Sequence, residues 1–284
     1  MSNARLSEEQ QTAVTCQATV TSSERTTPED TDEIRRLVID VHATDVDFCI
    51  GESIGVLPPE SVQPGKKHIL HYYSVDDLPS RNEQGEPRIT IHVRRWPVSK
   101  HAPTASTSNY LCDLKPGDAL SISGPFGIPF EVPAVPDANL ILIGTGSGIS
   151  PFRAFVRHIH QSVPEWKGRI WLFYGARSGL EYLYVNEQAD ITQFYNESSY
   201  EAFKALCPRP NWADPIAWDL ALAERGEELL EMLAQPNTYV YVAGLHQVTE
   251  KLDSAFAELT GSAAEWARLK AELAADNRWV ELLY

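Results

Sequence analysis

The sequence predicts two domains, an antiparallel β-barrel followed by an α/β doubly wound domain, and three observations carry that prediction. Up to about Val132 the chain is a series of short β-type runs split by Pro and Gly clusters, the spacing of a small barrel. Beyond it, apolar strand-like runs alternate with helical ones, the order of a parallel sheet. Between the two lies 133–139, Pro-Ala-Val-Pro-Asp-Ala-Asn, which reads as a linker. The expected boundaries are a flexible N-terminal arm over 1–25, the barrel over 26–135 and the α/β domain over 136–284.

Each element follows from its own residues. Residues 1–25 are polar and without evident pattern, hence the arm. The barrel strands are expected at 36–41, 51–56, 68–75, 88–96 and 119–123, where β-branched and aromatic residues recur between turn residues. In the second half the expected elements are 140–143, 152–162, 169–174, 180–194, 227–234, 239–242, 248–259 and 263–274. The most informative stretch is 140–155, LILIGTGSGISPFRAF. A buried strand breaks there into Gly144, Gly146 and Gly148, and a helix is expected with Ser150 as N-cap and Pro151 in its first turn. Such a loop lets backbone approach a ligand closely and presents a helix N-terminus to an anion.

Composition narrows the function. With 284 residues, 43% of them hydrophobic, the chain can bury two cores. It has no run of about 18 apolar residues to cross a membrane. No apolar stretch follows a basic start at the N-terminus, so a cytoplasmic protein is expected. Cys16, Cys49, Cys112 and Cys207 are scattered, so neither a zinc site nor an iron–sulfur ligand run is expected, and no metal. A formal net charge of −15 argues against a nucleic-acid partner. Against that background, 66–101 carries seven basic residues (Lys66, Lys67, Arg81, Arg88, Arg94, Arg95, Lys100) and four acidic ones.

Further motifs stand in fixed order around the glycine loop. They are His71-Tyr72-Tyr73-Ser74, Ser108-Asn109-Tyr110-Leu111-Cys112-Asp113, Gly124-Pro125-Phe126-Gly127, Phe173-Tyr174-Gly175-Ala176-Arg177, Tyr239-Val240-Tyr241-Val242-Ala243-Gly244-Leu245 and a C-terminal Tyr284. This series closely resembles the ferredoxin–NADP reductase family over roughly 25–284. The resemblance implies an FAD-binding barrel and an α/β domain that binds NADP or NAD. Tyr73 is then expected to stack on the flavin, with Ser74 at its reactive edge, and His71, Arg94, Thr107 and Ser108 are expected to hold the cofactor. On the dinucleotide side the resemblance implies Gly144, Thr145, Gly146, Ser147 and Gly148, then Gly175, Ala176 and Arg177, then Arg209, Gly244 and Leu245. Tyr284 is expected to cover the flavin face that nicotinamide must reach, and Glu281 to take a catalytic part with Ser74 and Tyr284.

Four departures accompany the resemblance. His71 stands where the family's R-x-Y-S motif has Arg, and Ala243 stands where many relatives have Cys. Leu282 occupies the place of a Glu two residues before the last Tyr, leaving Glu281 one step earlier. The Ser-Arg pair and Lys-x-Tyr expected around a 2′-phosphate are replaced by Ala205-Leu206-Cys207-Pro208-Arg209 and Asp214-Pro215-Ile216-Ala217-Trp218. The implied activity is transfer of electrons between NAD(P)H and a one-electron acceptor, a ferredoxin or another iron–sulfur protein. The alternatives are an NAD(P)H diaphorase or quinone reductase, and a degenerate flavin-binding module with an assembly or regulatory role.

Overall fold

Period-two burial builds the first sheet. The structure, a computed structural model, describes residues 15–27, 29, 33–59, 70–95, 107–126, 133, 135–145, 149–163, 165–176, 200–206, 216–244 and 247–283. The chain divides into two units, Met1–Glu131 with Arg153–Phe155, and Val132–Phe152 with Val156–Tyr284.

In the first unit, β1 (Thr15–Arg25) buries Cys16, Ala18 and Val20 and turns the residues between them outward. This corrects the expectation of a flexible arm at 15–25, because β1 is bonded on one side to β2 (Ile34–Val41) and on the other to β7 (Ala119–Phe126), while 1–14 lie outside the described residues. Its inward residues are small, so the alternation carries little hydrophobic signal. The remaining elements are β3 (Ser53–Leu57), β4 (His71–Ser74), β5 (Ser80–Arg81), β6 (Pro87–Arg94) and the short helix α1 (Thr107–Asp113). Among the described residues the strands form one antiparallel sheet in the order β4-β3-β7-β1-β2-β6-β5. Just past β4, Asp76 N–H donates to Thr90 O of β6 at 3.0 Å, joining strands that are not sheet neighbours and drawing the sheet towards a barrel. Leu37, Ile39, Ile54, Val56, Ile91 and Ile122 fill the interior, capped by Leu111 of α1.

In the second unit, β8 (Asn139–Thr145) is buried at every position, as a central strand of a parallel sheet covered on both faces should be. It is followed by α2 (Ser150–Ser162), β9 (Ile170–Ala176), β10 (Tyr200–Leu206), α3 (Trp218–Ala223), α4 (Gly226–Ala234), β11 (Thr238–Gly244), α5 (Gln247–Thr260), α6 (Ala263–Ala275) and β12 (Trp279–Leu283). The parallel order is β10-β9-β8-β11-β12. The chain therefore winds outward from β8 in one direction, then returns to β11 and winds out in the other. Ile141, Ile143, Phe173 and Val242 meet Leu229, Leu252, Phe256 and Trp266 in one core. Phe256 stacks on Trp266 with centroids 4.3 Å apart, and Trp266 meets Trp279 edge-on at 5.3 Å. Helix α6 starts on a capping residue, with Ser262 Oγ accepting the Glu265 N–H at 3.1 Å.

Helix α2 differs from expectation at its first turn. Ile149 is the N-cap, with helical dihedrals (φ −75°, ψ −26°) and no side-chain cap bond, so Ser150 is already inside the helix. Pro151 falls in the first turn as expected. The helix expected at 180–194 lies outside the described residues. Among the described residues no helix is long and apolar enough to cross a membrane.

Candidate functional site

In the barrel unit, β4 carries His71-Tyr72-Tyr73-Ser74, all four half-buried, on a strand whose one sheet neighbour among the described residues is β3. The register sets Ser74 against Ser53, Tyr73 against Ile54 and Tyr72 against Gly55. Tyr72 meets Phe126 edge-on, centroids 5.1 Å apart at 89°. Tyr73 packs against the barrel core, and burial, reinforced by the Cys112 thiol, raises its phenol well above the ordinary value. It is a neutral, largely apolar ring at an edge strand, the chemistry a flat aromatic ligand requires. Burial lowers the His71 imidazole below its usual value, so at neutral pH it supplies hydrogen bonding but little charge.

The cations near this unit are sorted by their partners. Arg95 is committed, its guanidinium binding Glu33 at 2.5 Å, Asp113 at 2.8 Å and the Asn109 carbonyl at 3.5 Å, which clamps α1 to the start of β2. Arg88 grips Asp40 at 2.6 and 2.8 Å, and Arg81 binds Asp47 together with the Thr44 and Gly85 carbonyls. Arg94 stands exposed at the last position of β6. Thr107, 1% exposed, and half-buried Ser108 open α1, with buried Asn109 beside them. Lys66, Lys67 and Lys100 lie outside the described residues.

In the second unit the site gathers at the C-terminal edge of the sheet, where β8 and β11 part in opposite winding directions, the place such folds bind ligands. Gly144 pairs with Ala243, and the strands end in buried Thr145 and in Gly244. Gly244 has φ +149°, and a Cβ there would lie 2.3 Å from Thr145 Oγ1. On the other side of Thr145, a Cβ on Gly175 would lie 3.0 Å from Thr145 Cγ2 and 2.4 Å from the Trp218 ring. The two glycines are thus fixed by the threonine between them. Ala176 ends β9 opposite Leu206. Gly146, Ser147, Gly148, Arg177, Arg209, Leu245 and Tyr284 lie outside the described residues.

Two residues near this edge are engaged within the unit, one of them a residue the sequence reading assigns to catalysis. Trp218, in the stretch compared with Lys-x-Tyr, is 2% exposed and belongs to the core, closing over Gly175 rather than offering a ligand contact. Glu281 accepts the Trp279 indole N–H at 2.6 Å and pairs with Lys270 of α6 at 3.1 Å. Alternation along β12 puts Trp279, Glu281 and Leu283 on the face packed by α5 and α6, and Val280 and Leu282 on the other. The catalytic expectation for Glu281 is therefore not carried forward: its carboxylate is engaged in anchoring the strand.

Comparison with known proteins agrees with this architecture. A family model described as an oxidoreductase NAD-binding domain matches residues 142–253. The ferredoxin–NADP reductase of Spirulina sp is 30% identical over 261 residues, covering 88% of this chain and 88% of that protein. The chloroplastic leaf isozyme 1 of Arabidopsis thaliana is 30% identical over 243 residues, covering 83% of this chain and 68% of its own length. The Synechocystis enzyme is 28% identical over 254 residues, and this chain spans 62% of it. Among solved structures, ferredoxin–NADP+ reductase from Plasmodium falciparum superposes with a TM-score of 0.69 at 16% identity, covering 94% of this chain and 95% of that one, which supports the fold. On the Spirulina and Arabidopsis matches, which run through both units, this chain belongs to the ferredoxin–NADP reductase family.

Proposed function

We propose that this chain is an FAD-dependent oxidoreductase that moves electrons between NADP(H) and a ferredoxin. The observation that carries the reading is the pairing, within one chain, of an aromatic edge strand in a barrel with an open switch point in a parallel sheet. FAD, when bound, accepts two electrons as a hydride and passes them on one at a time, so two one-electron carriers are served per NADPH.

The residues divide that work. Tyr73 offers its ring to one face of the flavin, and Ser74, held against Ser53, places a hydroxyl at the edge where hydride arrives. Thr107 and Ser108 supply donors for the pyrophosphate, and Arg94 supplies the charge that neutral His71 does not. Thr145, Gly175 and Gly244 shape the crevice for the dinucleotide, continued by Gly146, Ser147, Gly148, Ala176, Arg177, Arg209 and Leu245. Tyr284 covers the flavin until nicotinamide displaces it. The barrel, extended by β1 to begin at Thr15, is the FAD-binding domain, and 136–284 is the NADP-binding domain. An acidic ferredoxin docks on Lys66, Lys67 and Lys100 of the basic stretch 66–101, in which Arg81, Arg88 and Arg95 hold acidic partners of their own. Cys16 and Cys112, buried as free thiols, fit a reducing compartment such as cytoplasm.

The test is anaerobic titration of the purified chain. An FAD-to-protein ratio near one, bleaching of the flavin by NADPH, and reoxidation by added ferredoxin are expected. Protein that retains no flavin when saturated with FAD and dialysed would overturn the reading.

A further inference from the structure

Two residues beyond Ser74, a carboxyl is buried in the barrel wall. The Asp76 side chain is 3% exposed and lies against His92, itself 8% exposed. Its Oδ2 accepts two hydrogen bonds from that one residue, the backbone N–H at 2.7 Å and the ring Nδ1–H at 2.8 Å. The Asp76 backbone N–H donates in turn to Thr90 O at 3.0 Å. These three bonds tie the chain leaving β4 to β6, although β4 and β6 are not neighbours in the sheet. Tyr73-Ser74 is thus held between a ladder to β3 and this stitch to β6.

The stitch is not an economical way to stabilise a barrel. Asp76 Oδ1 is also buried and, among the described residues, has no hydrogen-bond partner. An unpaired carboxyl oxygen in a dry interior is costly, and an apolar pair of equal volume would pack without that cost. Burial raises the Asp76 carboxyl above its ordinary value while His92 pulls it down. What the pair provides that an apolar pair could not is direction: two donors of one residue converge on one oxygen and fix where the strand end lies.

We propose that Asp76 is a positioning residue, acting through His92 and Thr90 to hold the Tyr73-Ser74 end of β4 where it meets the flavin. The proposal rests on the reading that the barrel binds FAD. It is tested on the full chain with Asp76→Ala, His92→Ala, the double variant and Asp76→Asn, each at a temperature where circular dichroism shows it folded. Each alanine variant is expected to weaken FAD binding about tenfold or more and to shift the flavin absorbance bands, and the double variant to be no worse than the weaker single. Asp76→Asn keeps an acceptor for the two His92 donors and is expected to return the Kd to within about threefold of wild type. Lowered thermal midpoints with unchanged Kd and spectra would mean a purely structural pair and would overturn the proposal. Should Asp76→Ala fail to fold, His92→Gln removes the ring donor at similar size, and an unchanged Kd and spectrum there overturns it equally. Wild-type protein that binds no FAD would refute the flavin reading itself, a result distinct from either.

Discussion

Replacing Gly244 by Ala tests the switch-point site directly, because two penalties arise there and can be separated. At φ +149° an alanine is conformationally strained, at about 1–3 kcal/mol. Its Cβ would lie 2.3 Å from Thr145 Oγ1, and relieving such overpacking costs about 1–3 kcal/mol more. The sum is roughly 2–6 kcal/mol against the second unit, which at about 2–4 °C per kcal/mol lowers its thermal midpoint by roughly 4–24 °C. Because the displaced atom belongs to the crevice, NADP(H) affinity should fall as well, by about tenfold for each 1.4 kcal/mol lost from binding. Thr145→Ala removes the colliding oxygen but not the dihedral strain. The Gly244→Ala/Thr145→Ala double variant should therefore recover the packing part of the midpoint loss and keep the rest. Calorimetry and NADP+ titration of the three variants read both quantities. A Gly244→Ala protein with an unmoved midpoint and unchanged NADP+ affinity would refute the placement of Thr145 against Gly244.

Arg94→Ala should loosen FAD by roughly the 1.5–3 kcal/mol of a charge-assisted contact, whereas His71→Arg should leave binding unchanged or tighten it; dialysis followed by flavin assay decides. His71 also predicts a pH slope. Its folded pKa lies below the ordinary 6.5, so as pH falls the unfolded chain takes the proton first. Stability is then fully present above about 6.5 and is lost as pH falls through the folded value. His71→Gln should flatten that acid-side slope in urea melts, and an identical slope would place the titration elsewhere. The replacement of Ser-Arg and Lys-x-Tyr, with Trp218 drawn into the core, predicts only a modest preference for NADPH over NADH, since each missing charge-assisted bond is worth about 1.5–3 kcal/mol. A thousandfold preference in kcat/KM would contradict it. Glu281→Gln should keep turnover within about twofold and cost up to about 1 kcal/mol of stability, as a partly exposed ion pair does; a large fall in kcat would restore Glu281 to catalysis.

How much of this was legible in the sequence depended on how locally each feature is encoded. The apolar run of β8 and the alternation of strands and helices that follows it are short-range patterns, and the described residues form them as expected. Strand β1 was hidden because Cys16, Ala18 and Val20 are small and sit among Thr, Gln and Ser, so a real alternation resembled a polar arm. Strand β10 was hidden for a related reason: Tyr-Glu-Ala-Phe-Lys-Ala-Leu is a mixed run at the sheet edge, beyond the longer apolar strands. Within the site, residue identities were readable but commitments were not. That Arg95 is engaged by Glu33 and Asp113, or that Trp218 closes over Gly175, depends on contacts between distant segments. Asp76 and His92 carried no signal at all until β4 and β6 were brought together.

The C-terminal strand shows why a single position matters more than residue type. The resemblance to plant-type relatives implies a Glu two residues before the last Tyr, and here Glu281 stands three before it. In a strand that step exchanges the two faces of the sheet. The register of β12 on β11, with Glu281 opposite Val242 and Leu282 opposite Ala243, makes the exchange explicit. Glu281 turns to Lys270, whose ammonium also sits 5.0 Å from the Trp279 ring and 2.9 Å from Asp253. Trp266 donates to the same Asp253 at 2.8 Å, so α5, α6 and β12 share one polar knot. Glu281 is used here to fasten the strand that leads to Tyr284. Leu282 and Ala243 lie side by side at the two positions where relatives carry Glu and Cys. Both residues are apolar and they are register partners, so the two departures fall on one spot at the end of this sheet.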